Sequence, residues 1–206
     1  MIELPEQRSR PAQIPLKRSR LLIVGSGAFS ISQLPQWIIL MRRWYDWDIR
    51  AALTHSARPL VGFGAVAAAT GHPIIGPEWP THGGVPHQEA ATWPDVVLVA
   101  PATMNMVSKL ALGISDSLAL NILACTSVPI VIAPSIPHQA MNRISIATTL
   151  EKLIAEGFTV VPPQKGPSVH SGDVVEGGMA ALGPILQALY LAVTDTPAVS
   201  SNTIGG

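Results

Sequence analysis

The chain has 206 residues, of which 48% are hydrophobic and only 13% are charged, and its formal net charge is zero. A chain of this length predicts one ordinary domain with a substantial core, and the apolar excess indicates extra buried surface, for which a subunit interface is one explanation. The zero net charge argues against nucleic acid and against an anionic membrane surface as partners. A small molecule or a peptide is the expected partner.

Cysteine, histidine and hydropathy patterns narrow the class of protein. The single Cys125 can form no intramolecular disulfide, which favours a reducing cytoplasm, and its apolar surroundings predict a buried thiol. The six histidines lack the spacing of metal ligands, so no metal site is predicted. No apolar run is long enough to cross a bilayer, and the first residues lack the apolar core of a signal peptide. We therefore expect a soluble, cytoplasmic protein.

The two ends of the chain differ from its middle in composition. Residues 1–19 carry three prolines and several Arg or Lys without periodicity, which predicts a flexible arm. Residues 194–206 are small and polar and predict a flexible tail. The folded domain is predicted over residues 20–193.

Within this domain, short β-rich runs alternate with helical patterns. The candidate strands are 21–27, 49–54, 72–76, 95–102, 128–134 and 158–163, and the clearest helical patterns are 34–46, 58–70, 105–114 and 144–157. Strands that are apolar on both faces and alternate with helices predict an α/β domain with one doubly wound parallel sheet. The expected fold is Rossmann-like or flavodoxin-like, with three α/β/α layers.

Three segments that follow predicted strands share a chemistry: GSGAFS at 25–30, THSA at 54–57 and PATMN at 101–105. Glycine and hydroxyl residues at helix N-termini present donors that suit a phosphate, at the strand ends where such sheets bind ligands. The dinucleotide motif GxGxxG is incomplete because Ser30 occupies its last position, and no acidic residue ends the next strand. Helix capping explains each segment alone. Together they favour a mononucleotide.

The residues around the fourth candidate strand, PATMNM at 101–106, KLALGISDSL at 109–118 and HQEAATWPD at 87–95, resemble those of the homo-oligomeric flavin-containing cysteine decarboxylases. Pro101 to Met106 is similar to the family motif Pro-Ala-Ser-Ala-Asn-Thr, and KLALGISDSL is similar to the helix and Gly-x-x-Asp-x-Leu turn that follow it. HQEAATWPD resembles the segment in which a catalytic histidine opens a helix, which places that role on His87. ALTHSA resembles a flavin-binding turn. The resemblance spans residues 21–190 and is most specific over 87–118.

The resemblance implies FMN as cofactor and the oxidation and decarboxylation of a cysteine. His87 would take the thiol proton, although a surface histidine is the alternative, and Asn105 would position flavin and substrate, although a helix cap is the alternative. The candidate cofactor-binding residues are Gly25, Ser26, Gly27, Ser30, Thr54, Ser56, Pro101, Ala102, Thr103 and Asn105.

Two departures from the family pattern bear on the substrate. The family's carboxylate-holding Asn falls at Pro137, so His138, Asn142 or Arg143 would have to substitute for it. In the segment that resembles the substrate flap, 166–178, Ser171 stands where phosphopantothenoylcysteine decarboxylases carry a redox-active Cys. A serine cannot perform thiol redox chemistry, so the reaction should stop at the enethiol. The candidate substrate-binding residues are His138, Asn142, Arg143, His170 and Ser171.

These features favour a peptidyl-cysteine decarboxylase that acts on the C-terminal cysteine of a precursor peptide. The alternatives are a phosphopantothenoylcysteine decarboxylase of coenzyme A biosynthesis and a non-catalytic flavin-binding accessory protein, while a flavin prenyltransferase agrees less well with His87 and Asn105. The resemblance also implies a homotrimer or homododecamer with FMN near the subunit contacts, and a flap that closes over the peptide end. We expect core or edge packing for most of Trp37, Trp44, Trp47 and Trp93.

Overall fold

A parallel sheet organises the protein in the computed structural model, which describes residues 10–80 and 84–195. Its strands are β1 (Arg20–Gly25), β2 (Asp48–Leu53), β3 (Val96–Thr103), β4 (Ile130–Ser135) and β5 (Thr159–Val160). Neighbouring strands are all parallel, in the order β2-β1-β3-β4-β5. From β1 the chain first adds β2 on one side and then crosses to add β3, β4 and β5 on the other side. This strand order is that of a flavodoxin-like, doubly wound fold. The predicted fold class is confirmed.

Helices cover both faces of the sheet. On one face lie α1 (Leu34–Tyr45), α2 (Phe63–Thr70) and α8 (Leu182–Thr194), and on the other lie α3 (Pro86–Thr92), α4 (Met104–Ala111), α5 (Leu118–Cys125) and α7 (Ile144–Ala155). The strands alternate between the two cores: Leu21 and Ile23 of β1 belong to the first core, and Leu22 and Val24 belong to the second. Because both faces are buried, β1 reads as a continuous apolar run.

Two predicted strands differ from the structure. Residues 72–76 do not form a strand and make only one isolated pairing, between Ala52 and Ile75. Pro73 has no N–H to donate, and Gly76 has a φ of 76°, outside the strand region. The run 158–163 pairs only at β5, because two prolines follow at 162 and 163. The strand predicted at 72–76 and the extent of the strand predicted at 158–163 were both wrong, since proline removes the N–H groups that pair neighbouring strands.

The prediction of a buried Cys125 was also wrong, because the thiol is exposed. Cys125 is the last residue of α5, and the apolar neighbours in its sequence, such as Ile122 and Leu123, belong to the buried side of that helix. Trp37 and Trp47 are each 4% exposed, which agrees with the predicted core packing. Trp44 and Trp93 are partly buried at the edges of the two cores.

An antiparallel hairpin lies outside the main sheet, in the segment predicted as a substrate flap. It is formed by β6 (Gln164–Pro167) and β7 (Val174–Gly178). The hydroxyl of Ser168 organises the turn by accepting hydrogen bonds from the backbone N–H groups of His170 and Ser171, both at 3.3 Å. The backbone N–H of Ile136 donates to the carbonyl of Gly177 at 3.0 Å, which ties the hairpin to the end of β4. Movement of this flap stays a prediction.

The described part of the predicted arm packs on the domain. Ile14 is 5% exposed, and the hydroxyl of Tyr45 donates to the carbonyl of Pro11 at 2.7 Å. Residues 1–9 and 196–206 lie outside the described residues, so the flexible arm and tail stay predictions. Over the ranges that the structure describes, no helix combines the length and apolar character of a membrane span. The cytoplasmic location stays a prediction.

The carboxylate of Asp95 joins the arm to the start of β1. It accepts the backbone N–H groups of Arg18 at 2.7 Å and Arg20 at 3.1 Å, and the Nε of Arg18 at 3.0 Å. Burial raises the pKa of Asp95, but these hydrogen bonds and the positive charge of Arg18 outweigh it, so the pKa lies below its ordinary value. A carboxyl with a lowered pKa stabilises the fold above the pKa of the unfolded chain, and this contribution disappears as the pH falls through the folded-state pKa.

Replacing Asp95 with Asn should therefore lower the free energy of unfolding at pH 7 by about 1.5–3 kcal/mol, the range for hydrogen bonds to a charged group. The difference from the wild type should shrink once the pH falls below about 4, where the unfolded carboxyl is protonated. Urea denaturation across this pH range measures both effects. Asp173→Asn, at an exposed carboxylate, is the matched control. A difference that is constant with pH would contradict the assignment.

Candidate functional site

A cavity of about 300 Å³ opens at the carboxyl ends of β1, β2 and β3. Five of the predicted cofactor-binding residues line it: Ser26, Thr54, Ser56, Thr103 and Asn105. It lies where the strand order reverses, which is the position at which doubly wound folds bind ligands. Loops from three separate strands thus contribute hydroxyl groups to one cavity, as the sequence predicted.

Hydrogen bonds of Ser26 connect the ends of β1 and β3. Its side chain is buried, its hydroxyl donates to the carbonyl of Pro101 at 2.7 Å, and it accepts the backbone N–H of Thr103 at 2.9 Å. Its backbone N–H also donates to the carbonyl of Pro101, at 3.1 Å. The hydroxyl proton is therefore used inside the protein. Ser26 shapes the cavity wall chiefly by holding Thr103 in place.

The two glycines of the first loop allow close packing. A Cβ on Gly27 would overlap the carbonyl oxygen of Ser56, so only glycine lets the loop after β1 touch the loop after β2. A Cβ on Gly25 would lie 2.8 Å from side-chain carbons of both Ile31 and Leu53. In the second loop, the hydroxyls of Thr54 and Ser56 lie 3.1 Å apart. The glycines thus bring these two hydroxyls to the mouth of the cavity.

The remaining cofactor-binding candidates do not line the cavity. Pro101 and Ala102 are buried within β3. The hydroxyl of Ser30 donates to the hydroxyl of Ser135 at 3.4 Å, which links the loop after β1 to the end of β4. These three residues support the strand ends that surround the cavity.

Thr103 caps α4, and Asn105 does not. The hydroxyl of Thr103 accepts the backbone N–H of Met106 at 3.3 Å, the usual bond of a helix N-cap. Asn105 is exposed in the first turn of the helix, and its amide makes no hydrogen bond with any residue that the structure describes. The capping alternative for Asn105 is therefore set aside. Its amide is free to bind a ligand in the cavity.

Sequence reasoning missed several residues that line the cavity, namely His55, Pro77, Lys109, Asp116 and Ser117. Lys109 and Asp116 form an ion pair of 2.5 Å that joins α4 to the loop before α5. Ser117 caps α5 by accepting the backbone N–H of Leu120 at 3.3 Å. A sequence signal existed for Ser117, because a serine before an apolar run is a typical helix start. No comparable signal marks the ion pair.

His87 lies at the same edge of the sheet but outside this cavity. It follows Pro86 at the start of α3, which packs beside α5. The hydroxyl of Thr126, just past α5, donates to the carbonyl of Ala91 near the end of α3, so the two helices run in the same direction. The Nδ1 atom of His87 is buried and has no hydrogen-bond partner among the described residues. The structure does not bring His87 into the cavity that Asn105 lines.

The substrate-binding candidates lie near the flap. His138 begins the short helix α6 (His138–Met141), which packs against β7, and its Nδ1 atom is buried without a partner in the described part of the chain. Asn142 and Arg143 follow it and are exposed. His170 and Ser171 are exposed in the hairpin turn. Only His138 combines burial with an unused nitrogen.

Comparison with known proteins assigns the family. The Flavoprotein family model matches residues 9–193. The chain belongs to the Flavoprotein family. A curated relative, the bifunctional coenzyme A biosynthesis protein CoaBC of Vibrio cholerae, is 30% identical over 135 residues, which are 64% of this chain and 33% of the relative. The chain thus spans about a third of the length of that relative.

Two solved structures are similar over most of their length. The FMN-dependent cysteine decarboxylase SpaF is 28% identical with a TM-score of 0.74, and the match covers 86% of this chain and 99% of SpaF. The FMN-dependent cysteine decarboxylase TvaF from thioviridamide biosynthesis is 29% identical with a TM-score of 0.65, and the match covers 68% of this chain and 88% of TvaF. The predicted flavin is confirmed by the family, and FMN is the flavin on which SpaF and TvaF depend. The roles of individual residues stay predictions.

Replacing Ser26 with Ala should weaken flavin retention, because it leaves the carbonyl of Pro101 and the N–H of Thr103 with fewer partners. Loss of such buried hydrogen bonds costs about 1–3 kcal/mol of folding stability. The measurements are the flavin absorbance per protein after dialysis and the urea midpoint. Ser32→Ala, at an exposed serine of the same loop, is the control. Equal flavin content and stability in the two variants would refute the role of the Ser26 hydrogen bonds in holding the ends of β1 and β3 together.

Proposed function

We propose that the protein is an FMN-dependent decarboxylase that acts on the C-terminal cysteine of a precursor peptide and leaves an aminoenethiol. The proposal rests on the cavity between the carboxyl ends of β1 and β3, where the strand order reverses. Three loops with hydroxyl side chains and the free amide of Asn105 line it. Similarity to SpaF and TvaF, both FMN-dependent cysteine decarboxylases, supports it.

The residues present fit a flavin mononucleotide. Thr54 and Ser56 offer exposed or half-buried hydroxyls, and Asn105 offers an amide without another partner in the described structure. Lys109 also lines the cavity, but its ammonium group is paired with Asp116. Hydroxyls, N–H groups and a cation suit a phosphate, whereas an amide can pair with the polar edge of a ring. FMN, when bound, supplies the acceptor for the hydride that the cysteine loses.

His87 is the proposed base. The substrate loses two hydrogens, one as hydride from Cβ and one as the proton of its thiol, and then loses carbon dioxide from the activated thioaldehyde. An imidazole accepts a proton near neutral pH without special tuning of its environment. The place of His87 at the carboxyl edge of the sheet, on the same side as the cavity, is consistent with this role.

His138 is the proposed partner of the substrate carboxylate. Pro137 cannot hold a carboxylate with a side-chain donor, and the next residue brings a buried nitrogen that lacks a partner within the described ranges. A buried polar atom without a partner is costly, so a ligand that bonds to it gains affinity. The packing of α6 against β7 places His138 beside the flap.

Ser171 determines where the reaction stops in this proposal. Its hydroxyl lies exposed in the turn of the flap. A hydroxyl cannot be oxidised and reduced as a thiol can, so this position offers no route for reducing the enethiol to a saturated thiol. Release of the enethiol is the expected outcome.

We infer that the site is completed between copies of the chain, in a homotrimer or homododecamer. Ligand cavities usually measure about 300–1,000 Å³, so this cavity of about 300 Å³ is at the lower limit. His87 lies outside the cavity of its own chain, and Phe29 and Met104, which are 60% and 41% exposed, stand in the segments that border it. Contiguous exposed apolar surface is typical of a contact surface, and these two side chains are our candidates for it.

Phosphopantothenoylcysteine is the alternative substrate. The curated relatives favour it, because the bifunctional CoaBC proteins belong to coenzyme A biosynthesis. Ser171 and Pro137 argue against it. A direct comparison of the two substrates decides between them.

The test is an absorbance spectrum of the purified protein followed by mass spectrometry after aerobic incubation with a peptide that ends in cysteine and, separately, with phosphopantothenoylcysteine. The expected result is a yellow protein that removes carbon dioxide and two hydrogens from the peptide. His87→Asn should retain the flavin and lose turnover. A yellow protein that is inert toward both substrates would favour the accessory alternative, and a colourless protein would refute the flavin site.

Replacing His138 with Ala should reduce kcat/KM for the peptide by about 10- to 100-fold, the equivalent of one hydrogen bond to a charged group. The loss should appear mainly in KM, because the bond is made in the substrate complex. Arg143→Ala, at the exposed neighbour, is the control and should change kcat/KM less. The assignment fails if the Arg143 variant shows the larger loss.

A further inference from the structure

The imidazole of His87 lacks the partner that usually orients a catalytic histidine. In such residues, one ring nitrogen commonly bonds to a carboxylate or a carbonyl, which fixes the ring plane. The Nδ1 atom of His87 is buried without a hydrogen bond, and no acidic group of the described residues forms an ion pair with the ring. A ring-to-ring contact is another way to restrict its rotation.

Trp79 makes that contact. The centroids of the Trp79 and His87 rings are 5.4 Å apart and the ring planes are inclined at 72°, a T-shaped arrangement. Aromatic pairs favour this geometry because the positive edge of one ring meets the negative face of the other. Rotation of the imidazole about its Cβ–Cγ bond would break the arrangement. The indole thus restricts the ring plane without taking up a nitrogen.

The segment that carries Trp79 is itself anchored. Ile75 exchanges backbone hydrogen bonds with β2, from its N–H to Ala51 at 2.9 Å and from the N–H of Leu53 to its carbonyl at 3.1 Å. Glu78, directly before Trp79, forms an ion pair of 2.9 Å with Arg58. Pro77 lines the 300 Å³ cavity. The chain therefore connects the cavity wall to the tryptophan within two residues.

We propose that Trp79 is the positioning residue of His87. It holds the imidazole plane by shape and takes up neither ring nitrogen as a hydrogen-bond partner. The inference rests on the proposed role of His87 as the base. An aromatic ring of any kind at position 79 should suffice, because the restraint is a ring contact and not a hydrogen bond.

The experiment compares Trp79→Ala and Trp79→Phe in the flavin-bound protein. Trp44→Ala is the control, at a partly buried tryptophan, whereas Trp79 itself is 47% exposed. The first measurement is the carbon–proton NMR spectrum of the histidine rings, in which His87 is identified by the signal that disappears in His87→Asn. Trp79→Ala should shift the His87 signal, because the ring current of the indole is lost. Trp44→Ala should leave this signal unchanged.

The second measurement is turnover of a peptide that ends in cysteine, at equal flavin content. Trp79→Ala should lower kcat by about 10- to 100-fold, the size of effect that slight misplacement of a catalytic group produces, with little change in KM. Trp79→Phe should recover most of this loss. If Trp79→Ala does not fold, Trp79→Leu, which keeps apolar volume but lacks a ring, takes its place.

The outcomes separate this inference from the proposed function. An unshifted His87 signal in Trp79→Ala would overturn the ring contact. A shifted signal with unchanged kcat, alongside an inactive His87→Asn, would overturn the positioning role and leave the base in place. An active His87→Asn would overturn the base and, with it, the catalytic purpose of the contact. A shifted signal, a lowered kcat and recovery by Trp79→Phe together support the inference.

Discussion

The hydrogen bonds of Ser26 join β1 to β3 at the point where the strand ladder between them has ended. Paired residues of β1 and β3 run only from Leu21 and Val96 to Val24 and Val99. Beyond Val99, Pro101 offers no N–H, and β3 continues beside β4 with a shifted register. The Ser26 hydroxyl and N–H both bond to the Pro101 carbonyl, so they replace the missing ladder. Thr103 and α4 directly follow these hydrogen bonds in the chain. The position of Asn105, in the first turn of α4, therefore depends on them.

The sequence predicted the layers of the fold well, because strands that are buried on both faces of a sheet appear in the sequence as continuous apolar runs. The apolar runs of β1 and β3 are fully buried in the structure, and helices cover both sides. The errors came from features that a pattern does not encode. Residues 72–76 have strand composition, but whether a run pairs depends on donors and on a neighbour, and Pro73 removes one donor. Cys125 has apolar neighbours, but its exposure depends on which side of α5 it occupies.

The candidate site was predicted in part. Hydroxyl-rich loops after strands indicated the cavity, since parallel strands bring their carboxyl ends to one edge. The sequence did not indicate which of those residues face the cavity and which make hydrogen bonds within the protein. Whether Ser26 faces a ligand or Pro101, and whether Thr103 or Asn105 caps α4, depends on backbone directions at the ends of strands. The Lys109–Asp116 pair and the Trp79–His87 contact join residues that are seven and eight positions apart, a spacing that does not by itself indicate proximity.

Unused hydrogen-bonding groups are the basis of the ligand-binding roles proposed for this protein. Native structures pair nearly all buried polar atoms, and a buried atom without a partner costs stability unless something binds to it. Among the described residues, buried nitrogens without a partner occur in Arg10, Arg50, His87 and His138. The proposed ligand-binding groups are the two histidines and Asn105, which carries a free amide in the cavity. These three lie on separate elements, α3, α6 and α4, that all begin at the carboxyl edge of the sheet. The cavity that Asn105 lines includes neither His87 nor His138 among its described lining residues, so the proposed function requires closing of the flap or contact with a second copy to bring a cysteine between the three.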